Sequence, residues 1–229
     1  MAAPRVWLIF LWAAVLAAES PEALLAKVDR LRHPWPSFSV EVEVKDARTS
    51  QRWRVRAREN GDARVEGLSE KEKGRNVLML GEQMWLLLPN AKKPLKVTPQ
   101  QRLLGPAAGG DIARTRFAED YRVVASAEEE VDQQACVRLD LEARRPSLSY
   151  RKAQLWVTPQ GTPVKAEFQL LSGKFANRAR FEPPTLAAGA MVLPGMTLEE
   201  PGGGKAQVRF SGWVPGKHDP ELFLLPETK

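Results

Sequence analysis

The chain has 229 residues, with 34 Lys and Arg against 28 Asp and Glu and a formal net charge of +6. That length suits one large domain or two small ones, and the modest, interleaved excess of positive charge argues against a nucleic-acid binder, which concentrates its basic residues in one stripe or helix. A single cysteine, Cys136, excludes an internal disulfide framework, so the fold has to be held by its core.

Arg5 precedes an unbroken apolar run from Val6 to Ala18 that ends in small residues, and polar Glu19 and Ser20 follow. This is the pattern of a secretory signal peptide, and the run falls short of the ~20 apolar residues of a transmembrane helix. The reading is therefore a cleaved signal over residues 1–18 and one exported, periplasmic domain over 19–229. No cysteine follows the small residues, so the pattern is not that of a lipoprotein signal.

Ser20 can cap a helix whose first position is Pro21, with Leu24, Val28 and Leu31 on one face and Leu25 beside them. The His33-Pro34-Trp35-Pro36 segment ends it. Period two then dominates. Val40, Val42 and Val44 alternate with charged residues, as do Trp53, Val55 and Ala57 with Arg54, Arg56 and Arg58, which reads as half-buried antiparallel strands with a solvated charged face. Asn60-Gly61 is a hairpin signal. Val77–Leu80 and Met84–Leu88 are apolar on both faces, so alternation does not choose their inner side, and their outer side needs a cover of its own.

Asn90–Lys96 reads as a basic, proline-containing turn and 98–110 as irregular, after which Asp111 could cap a short helix running to about Glu119. Tyr121–Ala125 leads to an acidic turn at Glu128–Asp132. Val137, Leu139 and Leu141 alternate, as do Val164, Ala166, Phe168 and Leu170. Val192–Leu198 and Ala206–Trp213 form a last hairpin, and Asp219-Pro220-Glu221 starts a closing turn. The sum is mainly β: about ten or eleven strands in one curved antiparallel sheet, an unclosed β-barrel, with an N-terminal helix and a short helical lid over the concave face. An apolar cleft would lie between sheet and helices.

Site chemistry is sparse. The two histidines, His33 and His218, lie in proline-rich or terminal segments and read as satisfied surface groups; no HExxH, CxxC or GxSxG occurs. Gly202-Gly203-Gly204-Lys205 lacks the Ser or Thr and the helix that a phosphate loop needs. Asp111, Glu119 and Asp120 read as capping or solvated carboxylates. The expectation is no enzyme, no catalytic residue, no metal and no cofactor. Methionine and aromatic residues on strands, which adapt to irregular apolar partners, are the notable feature.

Four segments in order resemble the outer-membrane lipoprotein-sorting family, the LolA-like and LolB-like superfamily. They are PEALLAKVDRLR, then GRNVLMLGEQMWLLLPNAKKPLKV, then GGDIARTRFAEDYRVV, and finally LPGMTLEEPGGGKAQVRFSGWVPGKHDPELF. The resemblance implies an unclosed β-barrel covered by helices, with a cavity for acyl chains. Where that family shows an aromatic-rich segment, this chain has GPAAGGDIARTRF, a less aromatic lid. The implied function is a periplasmic carrier binding a lipid or lipoprotein acyl chain and moving it between membranes, as a monomer served by an inner-membrane transporter and an outer-membrane acceptor. The alternative is a sensor or interaction module of the same fold. The cavity-lining set read from the strands is Val40, Val42, Val44, Trp53, Val55, Met79, Trp85, Leu87, Leu139, Leu141, Phe168 and Leu170.

Protein recovered from its native envelope is expected to begin at Ala18 or Glu19 on N-terminal sequencing of the soluble fraction; Met1 recovered from the membrane fraction contradicts the signal reading.

Overall fold

The structure is a computed structural model that describes residues 19–91, 93–98, 115–170 and 172–226. The signal segment, Asp111 and most of the expected lid lie outside the described residues. Helix α1 (Pro21–Arg32) begins as its sequence demands: the Ser20 side chain accepts from the Ala23 N–H, and Pro21 occupies the first turn. Helix α2 is short (Phe117–Asp120). No helix among the described residues is long and apolar enough to cross a membrane.

Among the described residues, thirteen strands form one antiparallel sheet. In chain order they are β1 (Phe38–Lys45), β2 (Ser50–Ala57), β3 (Ala63–Gly67), β4 (Asn76–Leu80), β5 (Gln83–Leu87), β6 (Leu95–Val97), β7 (Tyr121–Val131), β8 (Gln134–Ala143), β9 (Lys152–Val157), β10 (Pro163–Gln169) and β11 (Phe175–Phe181), with β14 (Gly195–Glu199) and β15 (Lys205–Pro215) completing it. A separate hairpin of β12 (Thr185–Ala187) and β13 (Ala190–Val192) interrupts the last part. The spatial order β6-β5-β4-β3-β2-β1-β15-β14-β11-β10-β9-β8-β7 leaves β6 and β7 at opposite edges, so the sheet is not closed. One core cluster joins Val77 and Met79 at one end to Leu139, Leu141 and Leu155 at the other, together with Leu24, Leu25 and Val28 of α1. Strands so far apart in the sheet can share one core only if the sheet curls, as sheets of more than about ten strands tend to do.

The strand count exceeds the ten or eleven read from sequence, for physical reasons. Leu95–Val97, expected within a basic turn, pairs with β5 as an edge strand, where lysine is tolerated and discourages further pairing. The acidic run Glu128–Glu130 lies inside β7, another edge strand, and the turn is Asp132-Gln133, both with positive φ (52° and 64°). Val192–Leu198 is broken at Leu193-Pro194, because Ala188-Gly189 supplies the positive φ values (46° and 83°) of an extra hairpin.

The outer cover that β4 requires is the C-terminal 3₁₀ turn, Pro220–Phe223. It packs on β3 and β4, Arg64 donates to the Leu222 carbonyl (3.0 Å), and Phe223 is buried. Elsewhere the outer face carries cross-strand ion pairs such as Arg54–Glu41 at 2.8 Å and Arg178–Glu167 at 2.9 Å, as its alternation implied.

One irregularity aims a side chain. Between the pairs Ser39–Val214 and Glu41–Ser211, one residue of β1 faces two of β15, a β-bulge centred on Gly212 at φ 59°. Strict alternation from Val208 and Phe210 would send Trp213 outward; the extra residue returns it to the core side, where it packs. Gly212→Val forces a β-branched residue into the left-handed region and is expected to cost about 1–2 kcal/mol or more, read as a lower urea midpoint with an unchanged slope.

Candidate functional site

The helix end and the second helix are tied by one carboxylate. Asp29 accepts from the backbone N–H groups of Phe117 and Ala118, each at 2.8 Å, so a residue of α1 caps α2. Burial pushes the Asp29 carboxyl up from 3.8 to about 6, against the two N–H bonds and Arg32, which pull it down. Asp120, also buried, accepts from the Arg116 N–H (3.0 Å) and pairs with Arg145. The α1–α2 layer therefore sits on the inner face through both apolar packing and fixed hydrogen bonds.

Two apolar clefts open between this layer and the sheet, sharing Arg32. The first encloses about 570 Å³ counting space open to solvent, but only about 40 Å³ can seat the centre of a water molecule, so it is narrow. Its apolar walls are Phe38, Val40, Val55, Ala57, Leu193, Phe210 and Trp213. Trp213 sits among aromatic rings, with centroids 5.4 Å from Phe38, 6.0 Å from Trp35 and 6.2 Å from Phe210. The second cleft, about 350 Å³ counting space open to solvent, is walled by Phe117, Tyr150, Phe168, Ala179, Phe181, Met196 and Leu198, with Asn177 beside Tyr150. Arg32 lies over the Phe117 ring at 5.3 Å.

The polar lining of the first cleft is unusual. Besides Arg32 it holds Arg58, Arg116, Asp62 and His33. His33 Nε2 faces the Thr115 carbonyl at 3.4 Å and must donate to it, which leaves Nδ1 as an acceptor; that atom is buried and has no partner. Burial, reinforced by Arg32 and Arg116, lowers the imidazole from 6.5 to about 3, so it stays neutral. His33 is thus not the satisfied surface histidine that its proline-rich setting implied: the prolines turn the chain under the sheet, and the ring meets Phe38 at 5.9 Å. His218 is half-buried, and its Nε2 lies 2.8 Å from the Phe38 carbonyl. Trp213 Nε1 is likewise buried without an acceptor. Each orphaned group costs about 1–3 kcal/mol while it stays unmet.

Of the residues read from sequence as cavity-lining, Val40 and Val55 line the first cleft and Phe168 the second. Val42, Trp53, Met79, Leu139 and Leu141 are buried in the core behind them, and Val44 and Leu170 pack against its margin. Trp85 and Leu87 are a correction. Met84 faces Met79 across the β4–β5 ladder and Leu78 faces Trp85, so Met79 and Trp85 lie on opposite faces. Met84 and Leu86 pack with the core, which leaves Trp85 and Leu87 on the outer face. The sequence reading missed Arg32, His33, Arg58, Arg116 and Trp213. Only Gly212 inside an alternating run signalled a bulge and thereby Trp213. Among the described residues, no cluster of three or more His, Cys, Asp or Glu could hold a metal ion. Cys136 is a buried thiol on β8, pushed up by burial.

An unclosed antiparallel sheet with a helix-covered apolar cleft defines a protein of the LolA-like class. A family model described as "-like: Uncharacterized protein" matches residues 67–222, and the chain belongs to that family. A LolA superfamily protein from Nitrosomonas europaea is 28% identical with a TM-score of 0.80, over 90% of this chain and 98% of its own. A DUF1329 family protein from Desulfovibrio piger shares the fold at 15% identity and a TM-score of 0.72, over 89% and 95% of the two chains. A domain from Vibrio parahaemolyticus assigned to outer membrane lipoprotein sorting does so at 17% and 0.69, over 86% and 94%. No curated protein sequence matches the chain.

The Asp29 capping bond carries a pH signature. With the folded-state value above the unfolded one, the native state holds the extra proton between about pH 4 and 6, so the group's contribution is full below pH 4 and is lost as pH rises through 6. Asp29→Asn cannot titrate. Urea unfolding of the wild type between pH 4 and 7 is expected to lose up to about 3 kcal/mol relative to that variant; parallel pH profiles contradict the assignment.

Proposed function

We propose that this chain is a periplasmic carrier that holds an acyl chain of a lipid or lipoprotein against the inner face of its sheet and moves it between membranes. The observation that carries the reading is the apolar cleft between α1 and that face, walled by Phe38, Val40, Val55, Ala57, Phe210 and Trp213. Likeness to the Nitrosomonas protein in sequence and fold supports the same class, and the Vibrio domain's assignment to lipoprotein sorting supports the cargo.

Each methylene withdrawn from water contributes about 0.8 kcal/mol, so affinity would rise with chain length. The cleft is narrow as it stands, and admitting an acyl chain would shift the α1–α2 layer off the sheet. Asp29 ties the two helices, so they would move together. Loading and release would then be exchanges, from an inner-membrane transporter and to an outer-membrane acceptor, with the monomer as the working unit. Export through the 1–18 signal belongs to the same proposal. The reading assigns no catalytic residue or cofactor.

Ala57→Phe distinguishes a ligand cleft from a closed core. A closed core resists the added ring by about 1–3 kcal/mol, whereas a cleft absorbs it. The expected result is that the parent binds a fluorescent fatty acid, that the variant loses at least about tenfold in affinity, and that its unfolding midpoint stays near the parent's. Absence of acyl binding by the parent overturns the proposal.

A further inference from the structure

The first cleft is apolar along its walls, and the charges at its polar end are answered by the protein itself. The carboxylates of Asp29 and Asp120 act on Arg32. Arg58 lies over the Phe223 ring at 5.0 Å, with Asp62 at 4.0 Å. Arg116 pairs with Glu119 at 2.9 Å and donates to the Arg58 carbonyl at 3.4 Å. Asp62 accepts from the Gly81 N–H at 3.0 Å and from Asn60 at 2.8 Å. Two neutral lining groups have no hydrogen-bond partner among the described residues: Trp213 Nε1, a donor, and His33 Nδ1, an acceptor. Both atoms are buried, and the Thr115 carbonyl, 3.4 Å from His33 Nε2, fixes the tautomer that leaves Nδ1 with its lone pair.

A bare hydrocarbon meets neither of these two groups. A carboxylate, or an ester without a hydroxyl, can accept from the indole but has no hydrogen to give His33. An anionic head would also bring a charge into a slot whose cations are already engaged, where it is costly to desolvate. An uncharged head with a hydroxyl and a carbonyl meets both groups and adds no charge.

We propose that this cleft selects uncharged acyl ligands whose head carries a free hydroxyl beside an ester carbonyl, that is, an acylglycerol, and the assignment rests on the acyl-carrier reading above. The hydroxyl donates to His33 Nδ1, and the carbonyl accepts from Trp213 Nε1. The acyl chain runs along Phe38, Val40 and Val55, which wall the same cleft. A buried donor or acceptor left unmet is costly, so a ligand that lacks either group forfeits affinity. The head, and not the chain alone, then sets which lipid is taken.

The test loads the delipidated wild-type protein with a fluorescent fatty acid and measures its displacement by 1-palmitoylglycerol, methyl palmitate or palmitate, each delivered from cyclodextrin. The two esters share the acyl chain and the carbonyl and differ in the hydroxyls. The expected result is that the glyceride binds at least about tenfold more tightly than methyl palmitate or palmitate, equivalent to about 1.4 kcal/mol, with no displacement by millimolar glycerol. His33→Leu, checked by circular dichroism, should reduce the preference between the esters at least about threefold and leave methyl palmitate binding unchanged. Trp213→Phe should weaken both esters together. Equal affinity for the two esters in the wild type overturns the head assignment and leaves the carrier reading standing; binding of neither the probe nor the esters overturns both. Tighter binding of palmitate than of the glyceride overturns the uncharged head, and displacement by glycerol makes this a site for soluble polyols and overturns the lipid assignment. An ester preference unchanged in a folded His33→Leu protein also overturns the proposal.

Discussion

The packing of α1 on the inner face of the sheet is the contact on which the rest of the structure depends. Among the described residues, the antiparallel sheet of thirteen strands has its edges at β6 and β7, and its apolar side is not hidden by closing the barrel. Leu24, Leu25 and Val28, each at most 2% exposed, supply the cover, and burying each side chain of this kind contributes about 1.5–3 kcal/mol. The cover is partial. It seals the middle of the inner face and leaves a cleft on either side of Arg32, where the helix ends and the chain turns at His33-Pro34. Asp29 adds direction to the packing by capping α2, so the position of α2 follows that of α1.

This arrangement joins stability and function in one layer. A fully complementary lid would make the inner face an ordinary core. Here the walls are apolar, the slot is narrow, and two buried polar atoms are left unmet at Trp213 and His33. Those are costs that a folded chain rarely keeps unless something else answers them. The bulge at Gly212 belongs to the same design, since it turns Trp213 into the cleft at the price of one irregular position in β15.

Much of the fold was legible because its strands obey period two. Val40, Val42 and Val44 in β1, Trp53, Val55 and Ala57 in β2, and Leu139 and Leu141 in β8 all face inward as their alternation requires. The start of α1 was legible from Ser20 and Pro21. What failed to read did so where local pattern carries no side preference. From Met84 onward β5 is apolar at every position, so its inner side is fixed only by the ladder with β4. The edge strands β6 and β7 carry charges that resemble turns. The cleft's polar end was illegible for a different reason: His33, Arg58, Arg116 and Trp213 come from four distant segments, and only the curl of the sheet and the return of β15 beside β1 bring them together. Even the family resemblance, which pointed to the cavity, could not name them.

The central claim is that the inner face is built to be occupied by an acylated ligand. Native mass spectrometry of the wild-type protein, purified from its own cell envelope without detergent, tests it most directly. The account predicts a fraction heavier than the mature chain by the mass of an acylated molecule, released on denaturation and identified by fragmentation. A folded protein that carries only its own mass, and takes up no lipid when offered vesicles, would contradict it.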